Sequence, residues 1–363
     1  VWKDSSLMWL YSALVLIFSI MLVSGIHTRG HEHGAFMSKE QTTSLRGLAI
    51  LIVVIHHLGQ RLDSALPLTL YLMNFFIGYL AVGLFFFLSG YGNMLSISHM
   101  QRSFTWKMAW IAKRIIGLLL IFYVAEAMAL ICELLSHQPI IPSLWGLITF
   151  SLPGWDTWYI KIQLLLYVLL FIAWLPDKLT PNTRLALLTV LAVMAVAVMR
   201  QCGLSEYWWN TLLCFPAGTF LAQYRQTAEH LLQRYWAWTG CASTVLFMPA
   251  FLLNYRGQVL AGIPAALLFC CAVISWNFKL RIASKPLVWL GTISFEIFLT
   301  HTFLLKTLVL VNVWSLPRTH AMVFLLIGTL ILSPINKAIT DHIKTLIPIF
   351  SSNTASRKKN HEE

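Results

Sequence analysis

Apolar runs of about membrane depth recur along the whole chain, separated by short polar breaks. A spanning helix needs about 20 mostly apolar residues, with roughly 17 to 25 tolerated. About eleven segments meet that length, near 7–26, 44–60, 68–95, 109–135, 157–176, 184–200, 207–224, 236–253, 258–276, 286–312 and 320–346. Pro139, Pro142, Pro153 and Gly154 interrupt any helix between the fourth and fifth, so 140–150 reads as a re-entrant or interfacial piece. The pattern therefore predicts an all-α fold, a polytopic transmembrane helical bundle of about 10–11 spanning helices. The first apolar run lacks a basic leader and a small-residue cleavage site, so it reads as a span and not as a cleaved signal.

Composition sharpens this picture. Hydrophobic residues make up 58% of the chain and charged residues 11%, against about 25% charged in an ordinary soluble domain. The net charge of +12 does not point to nucleic acid, because the basic residues sit in short runs between apolar segments. About nineteen of the 26 Lys and Arg residues fall in alternate loops and the tail, which the positive-inside rule assigns to the cytoplasm. The expected orientation is an outer N-terminus and a cytoplasmic C-terminus in a plasma membrane, with membrane lipids as the surroundings. The six cysteines lie mostly inside apolar segments and read as small buried hydrophobes. His27, His31 and His33 lack the neighbouring Cys or carboxylate geometry of a ligand set, and no metal site is expected.

Two polar positions stand out in the second apolar run, Ser44 to His57. Arg46 and His57 are eleven positions apart, which at about 100° per residue brings both within roughly 20° of one helix face, about 16 Å apart along the axis. Ionisable groups inside a membrane helix are costly and mark a functional site by default. An imidazole titrating near neutrality suits a general base. A guanidinium suits phosphate or carbonyl recognition, being permanently charged with several fixed donors. From spacing alone, His57 is equally a hydrogen-bonded histidine of the bundle core, and Arg46 a topogenic anchor. His56 points about 100° away from His57 and either orients it or packs.

The same stretch resembles the signature helix of the acyltransferase type 3 family, integral-membrane O-acyltransferases of bacteria in which an Arg and a His are separated by ten residues. Further pieces follow in the family's order. Phe85 to Tyr91 resembles its phenylalanine-rich Ser-Gly element, and Lys113-Arg114 the basic entry to its next helix. Trp158 to Gln163 resembles its Trp-led helix, Phe215 to Thr219 a later Gly turn, and Leu290 to His301 its closing motif. The likeness runs over roughly residues 40 to 345. Ser44 stands where many members carry Asp, Phe295 where Tyr is common, and the apolar run 7–26 precedes a helix that is commonly the first.

This resemblance implies three regions: an extra N-terminal transmembrane helix with a basic loop at 1–40, a membrane acyltransferase domain at 41–346, and a disordered polar cytoplasmic tail at 347–363. It implies transfer of an acetyl group from cytoplasmic acetyl-CoA to a hydroxyl of a cell-surface glycan or its lipid-linked precursor. His57 and Arg46 are then the catalytic residues, with Arg46, Lys113 and Arg114 gripping the donor. Tyr159, Lys161, Gln163, Glu296 and His301 are candidates for substrate binding. Each has a plain alternative: Lys113 and Arg114 as topogenic charges, Lys161 snorkelling to the interface, Glu296 in a structural ion pair, Ser89-Gly90 as a point of close helix packing. Trp155, Trp158, Trp208 and Trp209 either stack on sugar rings or anchor at the interface. Acetyl-CoA acts as a substrate, with no permanently bound cofactor expected. Homo-oligomerisation and the choice between direct transfer and an acyl-enzyme stay open. On composition alone a transporter or flippase with a buried Arg/His/Glu pathway fits equally.

Overall fold

The computed structural model describes residues 5–24, 26–28, 36–61, 77–98, 103–135, 157–282, 284–310 and 318–350. In chain order the helices are α1 (Ser5–Ser24), α2 (Lys39–Arg61), α3 (Gly78–Ser98), α4 (Phe104–Leu135), α5 (Thr157–Trp174), α6 (Pro181–Gln201), α7 (Cys214–Gln223), α8 (Arg225–Tyr255), α9 (Gly262–Lys279), α10 (Lys285–Thr292), α11 (Ser294–Leu310) and α12 (Arg318–Leu346). Strands β1 (Ile26–Thr28) and β2 (Leu280–Ile282) pair antiparallel, with His27 opposite Arg281. Among the described residues seven helices are long and apolar enough to cross a membrane, and the broken pair α10–α11 makes an eighth if counted as one span. The fold is an all-α, polytopic helical bundle.

The runs at 7–26 and 157–176 give α1 and α5, which are not among the seven, and three further expected spans come out differently. The second begins at Lys39, not near 44. Ser38 and Gln41 form a reciprocal cap: Gln41 N–H donates to Ser38 Oγ at 3.3 Å, and Ser38 N–H donates to Gln41 Oε1 at 3.1 Å. This satisfies two donors that a helix start leaves orphaned. Glu40 in the first turn complements the helix dipole and pairs with Arg281 of β2. The expected span at 207–224 is not one helix. A 3-10 turn at Glu206–Trp208 leads into α7, which is only 10 residues long. Pro216 sits in its first turn, where a missing N–H costs little. The run at 286–312 breaks at Ile293 (φ −119, ψ 17). There the hydroxyls of Thr292 and Ser294 donate to the carbonyls of Trp289 and Gly291, which closes the end of α10.

Of the cysteines expected to be buried, Cys214 and Cys270 are, whereas Cys202, Cys241 and Cys271 are exposed and Cys132 is half-buried. Exposure in a spanning helix includes the lipid-facing surface, where a thiol is tolerated as a small hydrophobe. The expected piece at 140–150, the residues 68–76, His31, His33, Trp155 and the tail beyond 350 lie outside the described residues.

The chain divides into two compact units, Val1–Met100 with Ile172–Ser294, and Gln101–Phe171 with Phe295–Glu363. In the first unit, α2 lies against α10 and α3, α3 against α7 and α9, and α8 against α9. Two of these crossings are made by reciprocal glycines. A Cβ on Gly47 would collide with the Leu287 carbonyl, and one on Gly291 with the carbonyl of Thr43. Likewise Gly90 faces the Phe215 carbonyl and Gly218 the carbonyl of Phe87. Lipid supplies little hydrophobic drive between helices, so such close backbone approach is how membrane helices gain packing energy. The Gly of Leu-Arg-Gly and that of Leu290-Gly291 are thus two sides of one contact. Ser89-Gly90 also proves to be a packing element.

Candidate active site

Arg46 and His57 both lie on α2, three turns apart on one face, as their spacing predicts. Both are half-buried, within a helix whose neighbours Leu45, Leu48, Ala49 and Ile50 are buried. The start of α2 is held firmly. The Arg225 guanidinium donates to the Phe36 carbonyl, the Tyr91 hydroxyl donates to the carbonyl of Met37 at 3.5 Å, and Phe36 packs edge-on to Phe278 with centroids 5.6 Å apart. At this end the Arg46 guanidinium runs alongside α3, where a Cβ on Gly92 would lie 3.8 Å from Arg46 Nη2. Ser44 is fully buried, and its hydroxyl has no hydrogen-bond partner among the described residues.

At the other end of α2, His57 Nδ1 lies 3.2 Å from Gln60 Oε1, and Gln60 Nε2 lies 3.1 Å from His56 Nε2. The two imidazole centroids are 5.2 Å apart. His56 packs as well, because a Cβ on Gly78 at the start of α3 would overlap its ring. Gln60 was not singled out from sequence: a polar residue at the end of an apolar run reads as an interface residue. The only available signal was its spacing, three and four residues from the two histidines.

Beyond Gly78, a second polar group gathers in the same unit. The Tyr79 hydroxyl, Asn210 Oδ1, Thr211 Oγ1 and Asn254 Nδ2 are buried without hydrogen-bond partners among the described residues. Gly83, one turn after Tyr79, faces Thr211, and Gly262 faces both Asn210 and Asn254. Nearby Glu206, in the connection before α7, has its carboxyl pushed up by burial. No motif marked these residues in the sequence.

The remaining candidates belong to the second unit. Tyr159, Gln163, Glu296 and His301 are buried there, each no more than 5% exposed. The Tyr159 ring meets Phe295 and Phe298 of α11 at centroid distances of 6.0 and 4.6 Å, and Phe298 meets His301 at 6.0 Å. The structure thus brings Tyr159 to the helix that carries Glu296 and His301. His301 Nδ1 is 2.7 Å from the Ile297 carbonyl, an acceptor only, so that nitrogen carries a proton. Lys161 is half-buried on α5. Lys113 Nζ lies over the Phe350 ring at 5.5 Å, and the Arg114 guanidinium over the Trp110 ring at 5.7 Å. Both cations therefore make cation–π contacts, of modest strength where water competes.

This unit also holds groups missed in the sequence. Glu126 is buried in the middle of α4. Thr329, Ser333, Asn336 and Thr340 form a buried polar stripe on α12. Ser333 bonds to Thr300 on α11, and Asn336 Nδ2 donates to the Ile121 carbonyl at 3.4 Å. Short polar residues at helical spacing hardly lower hydropathy, which is why the stripe is invisible to a hydropathy reading.

No curated protein and no solved structure matches the chain. One family model does, that of the acyltransferase domain Acyl_transf_3, and it matches residues 43–335. The match begins one residue before Ser44 and takes in both reciprocal-glycine crossings, Arg46, His57 and all the candidates of the second unit. The chain is a membrane acyltransferase of the type 3 acyltransferase family.

Proposed function

We propose that the protein moves an acetyl group from cytoplasmic acetyl-CoA to a hydroxyl of a cell-surface glycan or its lipid-linked precursor. The observation that carries this reading is the placement of Arg46 and His57 on one face of α2, within the matched region. Their separation of about 16 Å along the axis suits an extended acyl-CoA. Its phosphates lie at the guanidinium, and its pantetheine arm brings the thioester to the imidazole. His57 Nε2 takes the proton of the acceptor hydroxyl as that oxygen attacks the thioester carbonyl carbon. The C–S bond then breaks, CoA leaves as thiolate, and the imidazolium returns the proton to it. The products are the acetyl ester and free CoA. General-base help of this kind is worth about 100- to 10,000-fold.

Lys113 and Arg114 are further candidates for the donor phosphates. Tyr159, Lys161, Gln163, Glu296 and His301 are candidates for holding acceptor or donor. The buried carboxylate and imidazole of α11 support this assignment, since such groups are costly in a membrane unless used or paired. Binding of acetyl-CoA to the purified protein in detergent tests the reading. Saturable binding, competed by CoA, is the expected result. An absence of binding at millimolar acetyl-CoA contradicts it and favours a transport function for the same buried charges.

A further inference from the structure

We propose that Gln60 is a positioning residue that holds His57 in its base-competent tautomer, with the proton on Nδ1 and the lone pair on Nε2. This rests on the reading of His57 as the general base.

The geometry is local and specific. Gln60 lies one turn beyond both histidines, at i+3 from His57 and i+4 from His56, where helical side chains meet. Its amide reaches both rings at once, at 3.2 Å to His57 Nδ1 and 3.1 Å to His56 Nε2. An amide offers an acceptor at one end and donors at the other. It therefore cannot treat the two rings alike. With its oxygen toward His57, Gln60 accepts from Nδ1–H and donates to His56 Nε2, so His57 Nε2 keeps its lone pair for the acceptor proton. With the amide reversed, Gln60 donates to His57 Nδ1, Nε2 carries the proton, and the ring is useless as a base at that atom. The second ring couples the two protonation patterns: with the amide oxygen on His57 Nδ1–H, its nitrogen donates to an unprotonated His56 Nε2. His56 is wedged against Gly78 at the start of α3, which fixes the place of its Nε2 as the amide's second partner. His56 thus acts at one remove, holding the amide that holds His57.

Gln60 is exposed and its bonds stay within one helix, so losing them costs the fold little. The effect falls on the rate. Substitutions at Gln60 separate the two amide orientations, because a carboxylate only accepts. Gln60→Glu accepts from His57 Nδ1–H and preserves the tautomer, while Gln60→Leu removes the hold.

The experiment measures label transfer from radiolabelled acetyl-CoA into the glycan fraction of membranes, with rates normalised to the inserted protein. Gln60→Leu is expected to lower the maximal rate roughly tenfold to hundredfold, a part of what a general base contributes, with the apparent KM for acetyl-CoA unchanged. Gln60→Glu is expected to recover most of the rate lost in Gln60→Leu. Wild-type rates in Gln60→Leu overturn the proposal, and so does a Gln60→Glu variant as slow as Gln60→Leu. His57→Ala run alongside separates the two levels. An inactive His57→Ala beside a fully active Gln60→Leu sinks the positioning role alone, whereas an active His57→Ala sinks the base itself and this proposal with it.

Discussion

At the scale of single residues, Arg46 and His57 were legible in the sequence because charge is expensive in lipid and eleven residues close three helical turns. What surrounds them was not. Gly92 faces the Arg46 guanidinium, but a glycine in an apolar run carries no sign of what it faces. Gln60 was hidden for the opposite reason, since polar residues are ordinary at the end of a span. The roles proposed for Arg46 lead to a graded expectation. Arg46→Ala removes charge-assisted bonds worth about 1.5–3 kcal/mol, which weakens acetyl-CoA binding roughly tenfold to hundredfold. Arg46→Lys keeps the charge but loses the two-pronged donor, so its affinity falls between the two. Isothermal titration on the purified variants measures this, and equal affinity in all three proteins removes Arg46 from the donor site.

At the scale of elements, apolar run length located nearly every helix, but not how each ends or is interrupted. The reciprocal cap of Ser38 and Gln41 extends α2 beyond its apolar stretch, because hydropathy does not register hydrogen bonds. Average hydropathy also hid the breaks before α7 and at Ile293. The glycine crossings explain parts of the sequence that first drew notice as family motifs. Gly90 and Gly47 are there because a neighbouring backbone carbonyl occupies the space of a Cβ. Gly90→Ala forces two helices apart, at a cost of about 1–3 kcal/mol or more, and lowers the midpoint of thermal unfolding in detergent. Gly117 makes the contrast. A Cβ there meets only the Phe350 ring, at 3.7 and 3.8 Å, and alanine favours an α-helix by about 1 kcal/mol over glycine. Gly117→Ala is therefore neutral or stabilising. Equal midpoints for Gly90→Ala and wild type contradict the packing account.

At the scale of the molecule, the chain is a multi-pass membrane acyltransferase whose chemistry-bearing groups fall in two sets. One, on α2, sets a guanidinium and an imidazole three turns apart on one face, the imidazole in contact with Gln60. The other, in the second compact unit, gathers Tyr159, Glu296 and His301 around Phe298. Sequence named most members of both sets, since each is a polar residue in an apolar run. It passed over Glu126 and the polar stripe of α12, and over the buried group of Tyr79, Asn210, Thr211 and Asn254. Tyr79, Asn210, Thr211 and Asn254 come together only through the packing of separate elements, which no single segment records.

In the proposed reaction His57 does the proton chemistry of acyl transfer. The most direct measurement follows label from radiolabelled acetyl-CoA into the glycan fraction of membranes holding equal amounts of wild-type protein or His57→Ala. The expected result is incorporation with wild type and a fall of at least about 100-fold in the variant, with acetyl-CoA binding retained. Incorporation by His57→Ala at the wild-type rate would contradict it.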